Sequence, residues 1–145
     1  MRSIVIPPGK DENGQWHVLK YWPHYGKWFE VAAERSRGQF TAEEFAGMAA
    51  SGQATLFTFW RDEQSECLGA GLVELTRWNE GSLVIALIRW VSGEDWEEWK
   101  HFLAEVEQWA KANGAHRMMF DGRKGWSRRL LDYKVVNYTY SKDLI

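Results

Sequence analysis

Among its 145 residues the chain has one cysteine, Cys67, and three prolines. A single thiol excludes an internal disulfide framework and any multi-cysteine zinc site, and it fits a reducing cytoplasm. Neither sign of charge dominates: 20 acidic residues stand against 18 basic ones, for a formal net charge of −2. That balance gives no overall basic field of the kind nonspecific nucleic-acid binding draws on, so a nucleic-acid partner is not expected. Long apolar runs are missing as well. The first eight residues hold one Arg and three consecutive apolar residues, Ile4, Val5 and Ile6, far short of a signal-peptide core or a membrane span. A cytoplasmic protein without a membrane partner is therefore expected. His17, His24, His101 and His116 show no ligand spacing with one another or with Cys67, so no metal is expected.

No linker, low-complexity tract or fixed-period repeat divides the sequence, and residues 1–145 read as a single domain. A chain of this length buries roughly 68–70% of its unfolded surface and needs no covalent staple. Tryptophan is what the sequence has in excess, at ten residues. A large apolar body with one polar handle suits a thick core, an aromatic-lined groove or a protein interface.

A short strand at the N-terminus is followed by a polar loop over residues 7–15, and residues 16–22 read as a second extended stretch. Trp28, Val31, Ala32 and Arg35 share one helical face, with Gly38 as the stop. Thr41 and Glu44 form a capping box, and Phe40 with Phe45 a hydrophobic staple, for a helix ending at Gly52. Residues 54–61, 68–77 and 82–91 read as an antiparallel meander, the last so apolar that both of its faces should be covered. Ser92 and Asp95 offer a capping box for a helix over 93–113, with Trp99, Phe102, Leu103, Val106, Trp109 and Ala110 as its core stripe. Residues 116–120 return as a strand parallel to the preceding one; a short helix over 126–131 and a strand over 133–140 complete an α/β order of β-α-α-β-β-β-α-β-α-β.

This order resembles the GNAT superfamily of acyl-CoA-dependent N-acyltransferases along most of the chain. The resemblance implies a GNAT-like single domain with a mixed central sheet, acetyl-CoA as cofactor and an amine as acceptor. It places the pantetheine arm in a V-shaped cleft between the strands at 82–91 and 116–120, and the pyrophosphate at the start of the helix between them. The stretch Asp121, Gly122, Arg123, Lys124, Gly125, Trp126, with Leu130 to Val136, also resembles GNAT-like proteins of tailed-phage gene clusters. Two local motifs depart from the family pattern. The family turn reads Gln or Arg, two residues, Gly, one residue, then Gly or Ala; here Arg89, Trp90, Val91, Ser92 and Gly93 give one Arg and one Gly. Glu94, Asp95, Glu97 and Glu98 crowd the helix start, where a diphosphate would need positive potential. Where the family has an Asn and, seven residues later, a Tyr acting as general acid, this chain has Asp121 and Arg128.

The resemblance therefore implies cofactor contacts from Arg89, Trp90, Val91, Ser92 and Gly93, with Arg123 and Arg128 as a compensating basic group. Glu74, in the middle of an apolar strand, is the candidate base or else the solvent-facing member of an alternating strand. Ser127 is the hydroxyl nearest the missing acid. Three Arg/Trp neighbours, Trp60 with Arg61, Arg77 with Trp78 and Arg89 with Trp90, would build a stacking platform if their strand ends coincided. Two functions follow: an N-acetyltransferase with a degenerate phosphate loop, or a non-catalytic phage or prophage scaffold, virion-borne or in the host cytoplasm, that binds a protein through its Trp-rich surface and has no cofactor. An open cleft would favour the first, and a cleft filled by Trp90, Met118 or Phe120 the second.

Overall fold

The computed structural model describes residues 2–62, 66–122, 126 and 128–144. The chain runs β1 (Arg2–Ile6), α1 (His17–Lys20), α2 (Trp22–Arg35), α3 (Ala42–Ser51), β2 (Thr55–Arg61), β3 (Glu66–Trp78), β4 (Leu83–Gly93), α4 (Trp96–Trp99), α5 (Phe102–Ala112) and β5 (Arg117–Phe120). The five strands stand side by side in chain order; β1 to β4 pair antiparallel, and β5 joins β4 in parallel after the α4–α5 crossover. Both the meander and the parallel crossover agree with the sequence reading.

Alternation along the strands sends side chains to two cores. Leu56, Trp60, Leu72 and Trp90 pack with Tyr25, Phe29 and Phe45 from α2 and α3. Phe57, Phe59, Val73, Ala86 and Ile88 pack with Trp99, Phe102 and Val106 from α4 and α5. The sheet is thus covered on both faces, which is why β4 is so continuously apolar.

The α3 signals act as written, save that the capping box is made on its Thr41 side alone. Thr41 Oγ1 accepts from the Glu44 N–H at 3.1 Å, the Phe40 and Phe45 rings stack at 4.9 Å, and Gly52 ends the helix at φ 81°. Gly69 and Gly93 serve close packing between β3 and β4. A Cβ on Gly69 would lie 2.8 Å from the Ser92 carbonyl oxygen, and one on Gly93 would lie 2.6 Å from that of Leu68.

Four expectations are corrected. Residues 17–20 form a helix, α1, that buries Val18, where a strand was expected. The helix expected over 93–113 begins later and is broken. Ser92 and Gly93 pair with Ala70 and Gly69 as strand residues, Asp95 turns the chain at φ 50° without a side-chain cap, and a tighter turn links α4 to α5, with the Leu103 N–H on the Lys100 carbonyl at 3.1 Å. The Ser92–Asp95 capping box therefore does not form, because the sheet claims Ser92. Residues 133–140 carry no strand and are mostly exposed. The helix expected over 126–131 shrinks to a turn in which the N–H groups of Arg129 and Leu130 reach the Trp126 carbonyl; Ser127 lies outside the described residues.

Candidate functional site

The site grows from one irregularity. Leu72 pairs with Trp90 but Val73 pairs with Ile88, so Arg89 is an extra residue in β4, a bulge. It turns Arg89 and Trp90 to the same face. Trp90 packs edge-on against Phe29 at 4.8 Å, and Arg89 reaches a cavity against α3. The bulge coincides with the end of the parallel pairing, whose last pair is Ile88 with Phe120. Beyond Ile88, β4 continues to Gly93 paired with β3 alone, while β5 stops. The β4–β5 pairing therefore ends there, and a cavity lies on either face of β4 at that point.

On the α4–α5 face the cavity is small, about 30 Å³, and wholly apolar; Ile88, Val91, Trp96, Trp99, Phe120 and Trp126 are among the residues that line it. Gly71 also lines it. The rings of Phe59 and Trp99 stack at 5.7 Å on this face, and Trp96 meets Trp99 and Trp126 edge-on at 4.8 and 5.2 Å. Trp96 is thus an aromatic-cluster residue with Arg129 over its ring at 5.9 Å. Of the three expected cleft fillers Phe120 lines this cavity, and Trp90 sits in the opposite core.

On the α2–α3 face the cavity is larger, about 330 Å³, and is lined by Phe40, Glu44, Gly47, Met48, Gln53 and Arg89. Arg89 Nε and Nη2 both donate to Glu74 Oε1, at 2.9 and 2.7 Å. Glu74 is therefore a half-buried, paired carboxylate rather than a free solvent-facing one.

The β4–α4 turn differs from an anion cradle. The Glu94 N–H is taken by the Leu68 carbonyl at 2.8 Å, Ser92 is buried, and α4 is only four residues long. Most of its acids are paired: Glu94 with Lys27 at 3.5 Å, Glu98 with Arg61, and Glu97 with Lys100. Lys100 holds the Glu97 carboxyl below its usual range. Arg128 is described but Arg123, Lys124 and Ser127 are not.

Other candidates are dispersed. Trp60 pairs with Cys67 at the start of β3, whereas Arg77 and Trp78 close β3 at its far end, so the three Arg/Trp pairs build no platform. His116 Nδ1 accepts the Val84 N–H at 3.0 Å, a strand-joining contact. Burial raises the Cys67 thiol above its ordinary value. Among the described residues no three His, Cys, Asp or Glu side chains converge as a metal site, and no helix is long and apolar enough to cross a membrane.

The same architecture recurs in solved structures, acetyltransferases among them. A mutant form of the BH1408 protein from Bacillus halodurans matches with a TM-score of 0.71 at 11% identity over all of both chains. The ribosomal-protein-alanine N-acetyltransferase of Brucella melitensis biovar Abortus 2308 matches at 0.63 and 8% identity, over 100% of this chain and 99% of that one. An aminoglycoside acetyltransferase from an uncultured soil metagenomic sample, solved with sisomicin, matches at 0.61 and 14% identity over 98% of this chain and 96% of that one. The chain has the GNAT acetyltransferase fold. No protein-family model matches the sequence, and no curated protein matches it significantly. What this GNAT-fold chain shares with its neighbours is thus architecture.

The sequence pointed to Arg89, Glu74 and Val91 at the strand opening but missed Glu44, Gly47, Gln53 and Phe40. Glu44 was visible only as a capping residue. Nothing in the sequence says which of its groups caps: the backbone N–H does so, and no partner is found among the described residues for its carboxylate.

Proposed function

We propose that the chain is an N-acyltransferase that takes its acyl group from acetyl-CoA and passes it to an amine. The observation that carries this reading is the end of the β4–β5 pairing at the Arg89 bulge, with an apolar cavity on one face and a larger one of mixed lining on the other. The apolar walls at Ile88, Val91 and Phe120 match the thioester end of the cofactor in polarity, and the cavity of about 30 Å³ has to widen to admit it; the cofactor supplies an electrophilic carbonyl when bound. Trp90, Ser92 and Gly93 hold the course of β4 beside that arm. The diphosphate has no long helix N-terminus to rest on, so Arg123 and Arg128 are assigned to it, as planar donors matched to phosphate. Glu74, paired with the cavity-lining Arg89, is the candidate proton acceptor; Ser127 is the candidate donor to the departing sulfur.

The acid-rich turn and the lack of a helix-end phosphate cradle favour a second reading: a GNAT scaffold kept without catalysis, as in a phage or prophage protein, binding a protein partner through exposed aromatics such as Trp16 and Trp78. A thermal-unfolding series with acetyl-CoA separates the two, with adenosine diphosphate as the control for anion binding. Ligand at a hundredfold excess over its dissociation constant adds about 2.7 kcal/mol, roughly 5 °C for a domain of this size. A saturable shift with acetyl-CoA and none with the control supports the enzyme; no shift at millimolar acetyl-CoA supports the scaffold.

A further inference from the structure

The cavity against α3 has the volume of a small-molecule site, about 330 Å³ against a usual lower bound of about 300 Å³, and three features define its occupant. First, its charge is unbalanced. Arg89 is the cation in the lining, and its guanidinium is committed to Glu74 through two hydrogen bonds. The Glu44 carboxylate lines the same space, is exposed, and has no hydrogen bond or ion pair among the described residues. The capping box is half made: Thr41 accepts from the Glu44 backbone, and the Glu44 side chain is left to the cavity. The site therefore carries one uncompensated negative charge and no free positive one.

Second, the cavity has an apolar wall. Phe40, held by its stack on Phe45 at 4.9 Å, and Met48 supply it. Third, room is kept at a local cost. Gly47 lies inside α3, where glycine is destabilising by about 0.5–1 kcal/mol relative to alanine. No packing demands it, since a Cβ there would meet nothing within 4 Å. A side chain at position 47 would project into the cavity it lines.

We infer that this cavity is the acceptor subsite and that it takes a primary amine with an apolar body and no carboxylate. The ammonium is drawn to Glu44, the body lies on Phe40 and Met48, and an amino-acid carboxylate would find no free cation. The inference rests on the acyl-transfer reading. In the reaction the bound ammonium gives one proton to Glu74 by way of water, and the neutral nitrogen then attacks the acyl carbon. The C–N bond forms as the C–S bond breaks, the second nitrogen proton passes to the departing thiolate, and amide and free thiol are the products.

The test compares phenethylamine with phenylalanine, which adds only a carboxylate to the same body. The full chain is incubated with acetyl-CoA, free thiol is followed continuously and the amide is identified by mass. Phenethylamine is expected to exceed phenylalanine at least tenfold in kcat/KM. Glu44→Gln should raise the KM for phenethylamine about tenfold while leaving that for acetyl-CoA unchanged, and Gly47→Leu should raise it further with the helix intact by circular dichroism. Equal or better use of phenylalanine, or no response of KM to Glu44→Gln, overturns the inference. So does saturable acetyl-CoA binding in the thermal series with no acylation of phenethylamine. Absence of acetyl-CoA binding overturns the acyl-transfer reading itself, and the inference with it.

Discussion

Arg89 donates from both Nε and Nη2 to a single oxygen of Glu74, so the extra residue of β4 is locked to β3 by its side chain as well as by the strand ladder. The pair is half-buried, and removing one partner strands the other's charge in a partly desolvated place. Arg89→Met and Glu74→Gln are each expected to cost about 1 kcal/mol in urea unfolding after allowance for solvent screening. The double variant should cost less than their sum. Equal additivity in the double-mutant cycle would show that the pair is energetically idle. In the thiol-release assay Glu74→Gln should lower kcat more than it raises KM.

Glycines in adjoining strands should respond oppositely to alanine. At Gly71, which lines the small apolar cavity, the nearest atoms to an added Cβ are 3.5 Å away. Gly71→Ala should stabilise the fold by about 0.5–1 kcal/mol through lost unfolded-state freedom and added burial. Gly93→Ala would drive a methyl to 2.6 Å from the Leu68 carbonyl oxygen and 2.7 Å from Trp99 Nε1, and should cost about 2 kcal/mol or more. Thermal unfolding of the two variants reads the difference.

Thr41→Ala removes the acceptor of the Glu44 N–H and should lower stability by about 1 kcal/mol. Because α3 carries Glu44, Gly47 and Met48 to the acceptor cavity, the same variant should weaken amine use without altering acetyl-CoA binding. Serine at position 41 should restore both.

Asp11 ties down the loop after β1. Its carboxylate accepts the N–H groups of Gln15 and Asn13, each at 2.9 Å, and lies 3.5 Å from Lys20. The bond from Gln15 above all holds its pKa below the ordinary 3.8. A folded-state pKa below the unfolded one gives stability that is present above the unfolded value and lost as pH falls through the folded one. The loop should therefore loosen below about pH 4, and hydrogen exchange at Gln15 should accelerate there. In Asp11→Ala exchange should be fast already at neutral pH.

The strand meander, the helix capped at Thr41 and stopped at Gly52, and the parallel crossover could be read from the sequence, because each rests on local periodicity or a local cap. What could not be read depends on partners distant in the chain. Ser92 looks like a helix cap beside Asp95, but the β3 glycines opposite allow the sheet to extend and take it. Residues 133–140 have strand-forming composition, yet only Tyr133 is fixed, its hydroxyl donating to Glu107 at 2.8 Å and its ring 5.6 Å from Phe120. Burial and Glu107 together raise the Tyr133 pKa. At the candidate site, Arg89 and Glu74 were visible as charges inside apolar strands. The bulge that sets Arg89 on the same face as Trp90 was not, since a one-residue slip leaves no mark in alternation until the partner strand is known.

The sheet is laid down almost in the order of synthesis, but its first seam is not. β2, β3 and β4 meet through short turns, whereas β1 must wait for its partner across the whole of α1, α2 and α3, pairing Arg2 with Trp60. Closing so long a loop is slow relative to forming neighbouring hairpins. The β2–β4 meander should thus be the part that organises the folding transition state, with β1 attaching late. Substitutions in β3 would then slow refolding, while those in β1 would chiefly hasten unfolding, making the N-terminal strand the place where the native fold first comes apart.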